Sequence, residues 1–303
     1  MIAIVIPFYK FTFFQETLES LANQTNKNFN VYIGDDASKE NCSNLLEQYK
    51  DRFNFVYKRF EHNLGNTSLV KQWERCIDLT TNEDWLMVLG DDDVLSTNYI
   101  AEFYKHLPEI NKNNCNVVRF ASVTIDNRSN QTSPLFTHPK IEKATDFFHR
   151  RFTNKTRSSL SEYMFKKHAY NKYGFYNYNL AWFTDDRAWL EFSEFKNIYS
   201  INSAFLSFRL SEENISRANF KTHEKEILRL AFFKFITLEH LSKFTRAQQR
   251  FLLLYYEQII YKHKKVSFNF WLFVFTSFLK QCYFVQSIKF TRRVFIHLRK
   301  NDH

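Results

Sequence analysis

The first hundred residues alternate short apolar runs with helix-like segments: "IAIVIP", "FQETLESLANQ", "NVYIGDD", "SNLLEQYK", "FNFVYKR", "TSLVKQWERCIDLT" and "DWLMVLGDDD". That βαβαβαβ rhythm restricts the fold sharply, because successive parallel strands joined by helical crossovers build an open α/β sheet. Ligands of such sheets bind outside the carboxyl ends of the strands. Three of the runs end there in polar clusters: "PFYK", "GDDAS" and "GDDDV".

Past about Lys105 the pattern loosens. "NVVRFASVTI" reads as a strand, "NRSNQTSPLFTHP" as a loop, and "SLSEYMFKKHAYNKYG" as a strand followed by a short helix. "TDDRAWLEFSEF" reads as a helix with an acidic first turn and Thr184 as its N-cap. From about Lys221 the chain is expected to be helical. The expected organisation is an α/β domain over 1–220, with a nucleotide-binding half at 1–105 and an acceptor-binding half at 106–220. A helical extension follows at 221–303.

Three consecutive carboxylates, Asp91, Asp92 and Asp93, are unfavourable together, since like charges raise one another's pKa and resist burial. Hard oxygen ligands of this kind suit Mg²⁺ or Mn²⁺, and Mg²⁺ is usually held by one or two carboxylates plus substrate phosphates. A calcium loop is rejected, because Leu95 and Ser96 occupy positions that need a ligand and a glycine. Asp35 and Asp36 should end a neighbouring strand, where they suit a base N–H or a ribose hydroxyl. Tyr9 could stack on that base. No Gly-x-Gly-x-x-Gly or Gly-x-x-x-x-Gly-Lys-Ser/Thr occurs, so dinucleotide and P-loop sites lack their phosphate cradle.

These residues together resemble glycosyltransferase family 2, the inverting GT-A enzymes that use nucleotide-activated sugars. The likeness covers roughly residues 1 to 217. "IVIPFYK" resembles the opening strand, "IGDDAS" the Asp-Asp-Gly-Ser turn, and "NLGNTSLVKQW" the Asn-x-Gly segment. "VLGDDDVLS" resembles the Asp-x-Asp metal motif and "AWFTDDRAWLEF" the acidic acceptor-side helix. The resemblance implies that Pro7 and Tyr9 contact the base and that Asp36 meets the uracil edge of a UDP donor. It implies that Lys71 stands where an arginine often lies near the nucleotide, and that Asp91 approaches the ribose or donor sugar. It further implies Asp92 as principal ligand of Mn or Mg, Asp93 as a further carboxylate, Asp186 as general base and Asp185 as its neighbour. Two departures stand out: Gly90 replaces the first Asp of the common form, and Ser211 replaces a frequent histidine. Arg209 and Arg217 could meet the diphosphate instead, with solvent-exposed charges as the competing reading.

The activity so implied is inverting sugar transfer, in surface-polysaccharide biosynthesis, to a glycan or lipid-linked saccharide. A sugar nucleotidyltransferase is disfavoured, since "PFYKFTFF" lacks the Gly-rich basic loop it needs. A catalytically silent, membrane-associated nucleotide- or sugar-binding subunit is the alternative from another class.

The net charge of +10 sits mostly at the end, where residues 261–303 hold nine Lys or Arg and the single acid Asp302. With its aromatics, that segment suits an anionic membrane surface better than nucleic acid. "VSFNFWLFVFTSFL" is too short to span a bilayer, and packing on the domain or on a dimer partner is the competing expectation. The four scattered cysteines fit neither zinc nor a disulfide framework. Nothing in "MIAIVIPFYK" reads as a secretory signal. The expected location is cytoplasmic, peripheral on the inner face of the cell membrane.

Overall fold

The structure is a computed structural model describing residues 1–210, 222–262 and 268–301. The chain divides into two compact units, Met1–Phe220 and Lys221–His303.

In the first unit the strands are β1 (Ile2–Phe8), β2 (Phe29–Asp35), β3 (Phe55–Arg59), β4 (Trp85–Val88), β5 (Val94–Leu95), β6 (Val117–Ile125), β7 (Ile141–Lys143), β8 (Tyr163–Lys166) and β9 (Asn197–Arg209). Its helices are α1 (Phe14–Ala22), α2 (Ser43–Glu47), α3 (Leu69–Ile77), α4 (Tyr99–Lys112), α5 (Ala144–Phe152), α6 (Lys167–Tyr173) and α7 (Thr184–Phe192). One mixed sheet runs β3-β2-β1-β4-β8-β6-β9-β5, with β7 paired to β9. The first four strands are mutually parallel, as the alternating pattern predicts. Their side chains are nearly all apolar in β1 and β4, which are buried throughout apart from the half-buried Pro7, because helices cover both faces of a parallel sheet.

The sheet changes character beyond β4. There β8 inserts antiparallel to both β4 and β6, with Met87 opposite Met164. The start of β8 therefore lies at the sheet edge where β4 ends. Strand order also reverses between β1 and β4, which makes the crevice beyond their ends the topological switch point.

In the second unit the described residues are helical: α8 (Thr222–Lys234), α9 (Arg246–Lys262), α10 (Phe268–Lys280) and α11 (Phe284–Asn301). A π-turn at Phe235–Glu239 extends α8. No helix among the described residues is long and apolar enough to cross a membrane.

Candidate active site

The switch point is built around one carboxylate. Asp91 Oδ2 accepts from the backbone amides of Tyr9 and Lys10, both at 2.8 Å, and so ties the loop after β4 to the end of β1. Burial pushes Asp91 up to about 6 against the pull of these two amides. The Tyr9 carbonyl accepts from Ser38 Oγ at 2.7 Å, which brings in the turn after β2. Tyr9 itself keeps a side chain 40% exposed, and Pro7 lies opposite Gly34 in the β1–β2 ladder.

Asp93 is turned inward. Its Oδ1 accepts from the Arg209 amide at 3.1 Å, and the Ser161 hydroxyl also reaches it. Burial raises it to about 6. Asp92, half-buried like Asp91, differs from both neighbours in its hydrogen bonds: no side chain or amide other than its own donates to it among the described residues. Burial and the Asp93 charge push it up to about 7. A Cβ at Gly90 would stand 3.0 Å from Asp93 Oδ2 and 3.1 Å from Asp92 Oδ1, so a first aspartate there would crowd the other two.

Arg209 has a different place from the one the sequence suggests. It is fully buried, neither a surface charge nor a group held out toward a ligand. Its Nε donates to the Asp92 carbonyl at 3.0 Å, one Nη to the Asp126 carbonyl at 2.8 Å, and the other to Glu16 at 2.7 Å. The guanidinium also lies over the Phe13 ring at 4.1 Å. It braces the acidic loop from beneath. Ser211 and Arg217 lie outside the described residues.

In the turn after β2, Asp36 is buried and accepts from the amides of Leu64 and Gly65 at 2.7 and 2.8 Å, and from Arg75. A carboxylate offers about four lone-pair positions. Three are taken, and one remains. Lys71, in the first turn of α3, is exposed; Arg75, one turn on, is the cation that meets Asp36, stacked 3.9 Å from the Phe60 ring. The spacing of four along one helix was the signal that could have found it. Asp35 is equally committed, to the Ser38 amide, the Tyr57 hydroxyl and Arg59. Gly65 has a steric reason: a Cβ would come within 2.5 Å of Asp36 Oδ2. Gly65→Ala is therefore expected to displace the 64–65 turn and, if Asp36 meets a nucleotide base, to weaken nucleotide binding several-fold in calorimetric titration, with little change in fold by circular dichroism.

The approach to α7 starts with backbone strain. Leu180, Ala181 and Phe183 all have positive φ, at 59°, 52° and 68°, a conformation that costs bulky residues of order 1 to 3 kcal/mol each. Phe183, not Thr184, is the N-cap of α7, and Thr184 instead donates to the Tyr176 carbonyl at 2.9 Å. The capping expectation fails here because the strained turn, not a hydroxyl, sets the helix start. Asp186 is buried, with the guanidinium of Arg151 from α5 at 3.7 Å. Burial raises the Asp186 carboxyl, and burial plus the Asp186 charge push Asp185 up to about 7, while Arg151 opposes both shifts.

Residues 161–163 join the two sides. The Gly90 amide donates to Ser161 Oγ at 3.0 Å, while the Tyr163 ring stacks on Trp189 of α7 with centroids 4.0 Å apart. The acidic loop and α7 thus lean on the same three residues at one sheet edge. Among the described residues no three His, Cys, Asp or Glu side chains converge to hold an ion. One uncommitted carboxylate, Asp92, fits a cation whose remaining ligands come from a diphosphate.

The family model for glycosyl transferase family 2 matches residues 3–178, more than half of the chain. The chain belongs to this family. No curated protein sequence matches it. Among solved structures, this glycosyltransferase resembles S. aureus TarS 1-349 in complex with UDP-GlcNAc, with 14% identity and a TM-score of 0.63 over 92% of this chain and 80% of that one. TarS 1-349 in complex with UDP gives 13% identity and a TM-score of 0.55, over 99% and 91%. GalNAc-T7 with UDP, GalNAc and Mn²⁺ gives 10% and 0.52, over 70% and 44%. The fold is the GT-A fold.

Proposed function

We propose that this glycosyltransferase moves a sugar, with inversion, from a nucleoside-diphosphate donor of the UDP class to a hydroxyl of a saccharide or lipid-linked saccharide. The observation that carries the reading is Asp92: an uncommitted carboxylate at the switch point, flanked by two carboxylates that the fold has already engaged. TarS and GalNAc-T7 bearing UDP ligands on the same fold support the donor class.

The Tyr9 ring and Pro7 are expected to face the base, with the remaining lone pair of Asp36 accepting a base N–H. Asp91, whose carboxylate fixes the main chain of Tyr9 and Lys10, positions the ribose end of the donor. Lys71 stays available to the nucleotide from the solvent side. Asp92 would hold Mn or Mg, with Asp93 behind it shaping the loop. Bound there, the ion supplies neutralisation of the charge that develops on the departing diphosphate. Asp186 takes the proton of the attacking hydroxyl, and Asp185 raises its basicity as a like charge does. Positioning then supplies much of the rate. We further propose that 1–220 is the catalytic domain, with its donor half at 1–105 and its acceptor half at 106–220. The 221–303 extension would work at the inner face of the cell membrane, in surface-polysaccharide synthesis.

The test is a thermal-shift panel of nucleotide sugars with and without Mn²⁺, since a ligand at 100 times its Kd stabilises the folded state by about 2.7 kcal/mol. A rise confined to UDP sugars plus metal, and lost in Asp92→Ala, is the expected result. A folded protein that no donor shifts would overturn the donor site, whereas a shift without turnover, unaltered in Asp186→Asn, would leave the silent binding subunit as the better account.

A further inference from the structure

Helix α11 carries two apolar faces. The inner one is satisfied: Phe290 and Val294 are buried, and the Phe290 ring meets Phe270 and Phe278 of α10 at 6.0 and 6.2 Å. The outer one is Phe284, Val285, Ile288, Phe295 and Ile296, all exposed, with Ile288 at 71%. The exposed cations Lys289, Arg292 and Arg299 lie among them. At 3.6 residues per turn these side chains fall on a single arc of about 140°. A solvent face is normally the polar one. Here it carries five large apolar side chains among its three cations, and α11 contains no acid at all.

We infer that this outer face of α11 is a docking surface for an anionic lipid bilayer, on which the helix lies in the plane of the interface. The inference rests on the membrane-surface placement proposed above and adds to it the face and the lipid class. Charge selects the occupant. Two copies of the face pressed together would set three cations against three, with no carboxylate to pair them, whereas acidic headgroups neutralise all of them. The apolar side chains would enter the headgroup boundary by about 5 to 10 Å while the cations stay at the phosphates. Arg293 does not belong to this face. It is held by Glu257 of α9 at 2.5 and 2.7 Å and serves the packing of the unit.

The experiment is co-sedimentation of the full chain with phosphatidylcholine vesicles, with and without phosphatidylglycerol, at several salt concentrations. Binding is expected only to the anionic vesicles, weakening as salt rises. At about fivefold per cation, replacing Lys289, Arg292 and Arg299 together by Gln should lower it about a hundredfold. Ile288→Glu should abolish it. These side chains are exposed, so the variants should melt with wild type; Arg293→Gln, which loosens the unit, is the contrasting control. No sedimentation of folded wild type, equal binding to neutral vesicles, or a dimer that Ile288→Glu dissociates would each overturn the inference. The donor thermal shift, run on the same samples, tests the catalytic reading separately.

Discussion

Asp186→Asn is expected to lower kcat by roughly 10² to 10⁴ while leaving the donor-induced rise in melting temperature in place. The substitution keeps the shape of the side chain and its contact with Arg151, but removes the lone pair that receives the proton. Loss of donor binding in this variant would instead make Asp186 part of the donor site and remove the proposed base. The pH dependence follows from the same groups. A base at Asp186 must be ionised, and the pair it forms with Asp185 titrates upward of the usual carboxylate range, Asp185 at about 7. Activity should therefore rise with pH through that region, and the limb belongs to the pair, not to either residue. Arg151 favours the ionised form, so Arg151→Met should move the limb to higher pH and restore the rate as the solution is made more alkaline. An unmoved profile would show that Arg151 only packs.

Arg209→Met should destabilise the fold by about 3 kcal/mol in denaturant titration, because it leaves the half-buried carbonyls of Asp92 and Asp126 without these donors, at about 1 to 3 kcal/mol each. It also removes the stacking on Phe13. Arg52→Met gives the comparison. Arg52 pairs with Glu19 on the surface, where both partners are well solvated, and an exposed pair is worth less than about 1 kcal/mol. Two arginine ion pairs of similar length thus separate by their burial. If Arg209→Met costs no more than Arg52→Met, the acidic loop is held by something other than the guanidinium.

Much of the first half of the sheet is legible in the chain, since period and length distinguish its strands from the crossover helices, and three of the four strands end in polar clusters. The clusters after β1, β2 and β4 do meet, because parallel strands put their ends on one edge. The insertion of β8 between β4 and β6 is not legible, for it depends on a pairing between segments about 80 residues apart that no local pattern encodes. The cations are the other gap. Lys71 and Arg75 share one helix face, and only the turn at Leu64–Gly65 decides which of them meets Asp36. Arg151 reaches Asp186 from a different helix, so no spacing links them. Arg209 lies at the end of β9 and looks like a surface charge until α1 and the 126–129 turn close over it.

The double hydrogen bond from Tyr9 and Lys10 to Asp91 spans some eighty residues of chain. A single oxygen therefore makes the order of events in folding matter to the proposed donor pocket: until β1 and β4 lie side by side, those two amides lack this acceptor and the ring of Tyr9 has no fixed base. Their exchange with deuterium should accordingly follow the opening of the whole parallel sheet and not that of the exposed loop in which they sit. Slow exchange at two residues on the rim of a crevice would mark a recognition site whose rigidity is borrowed from the core, ready before any nucleotide arrives.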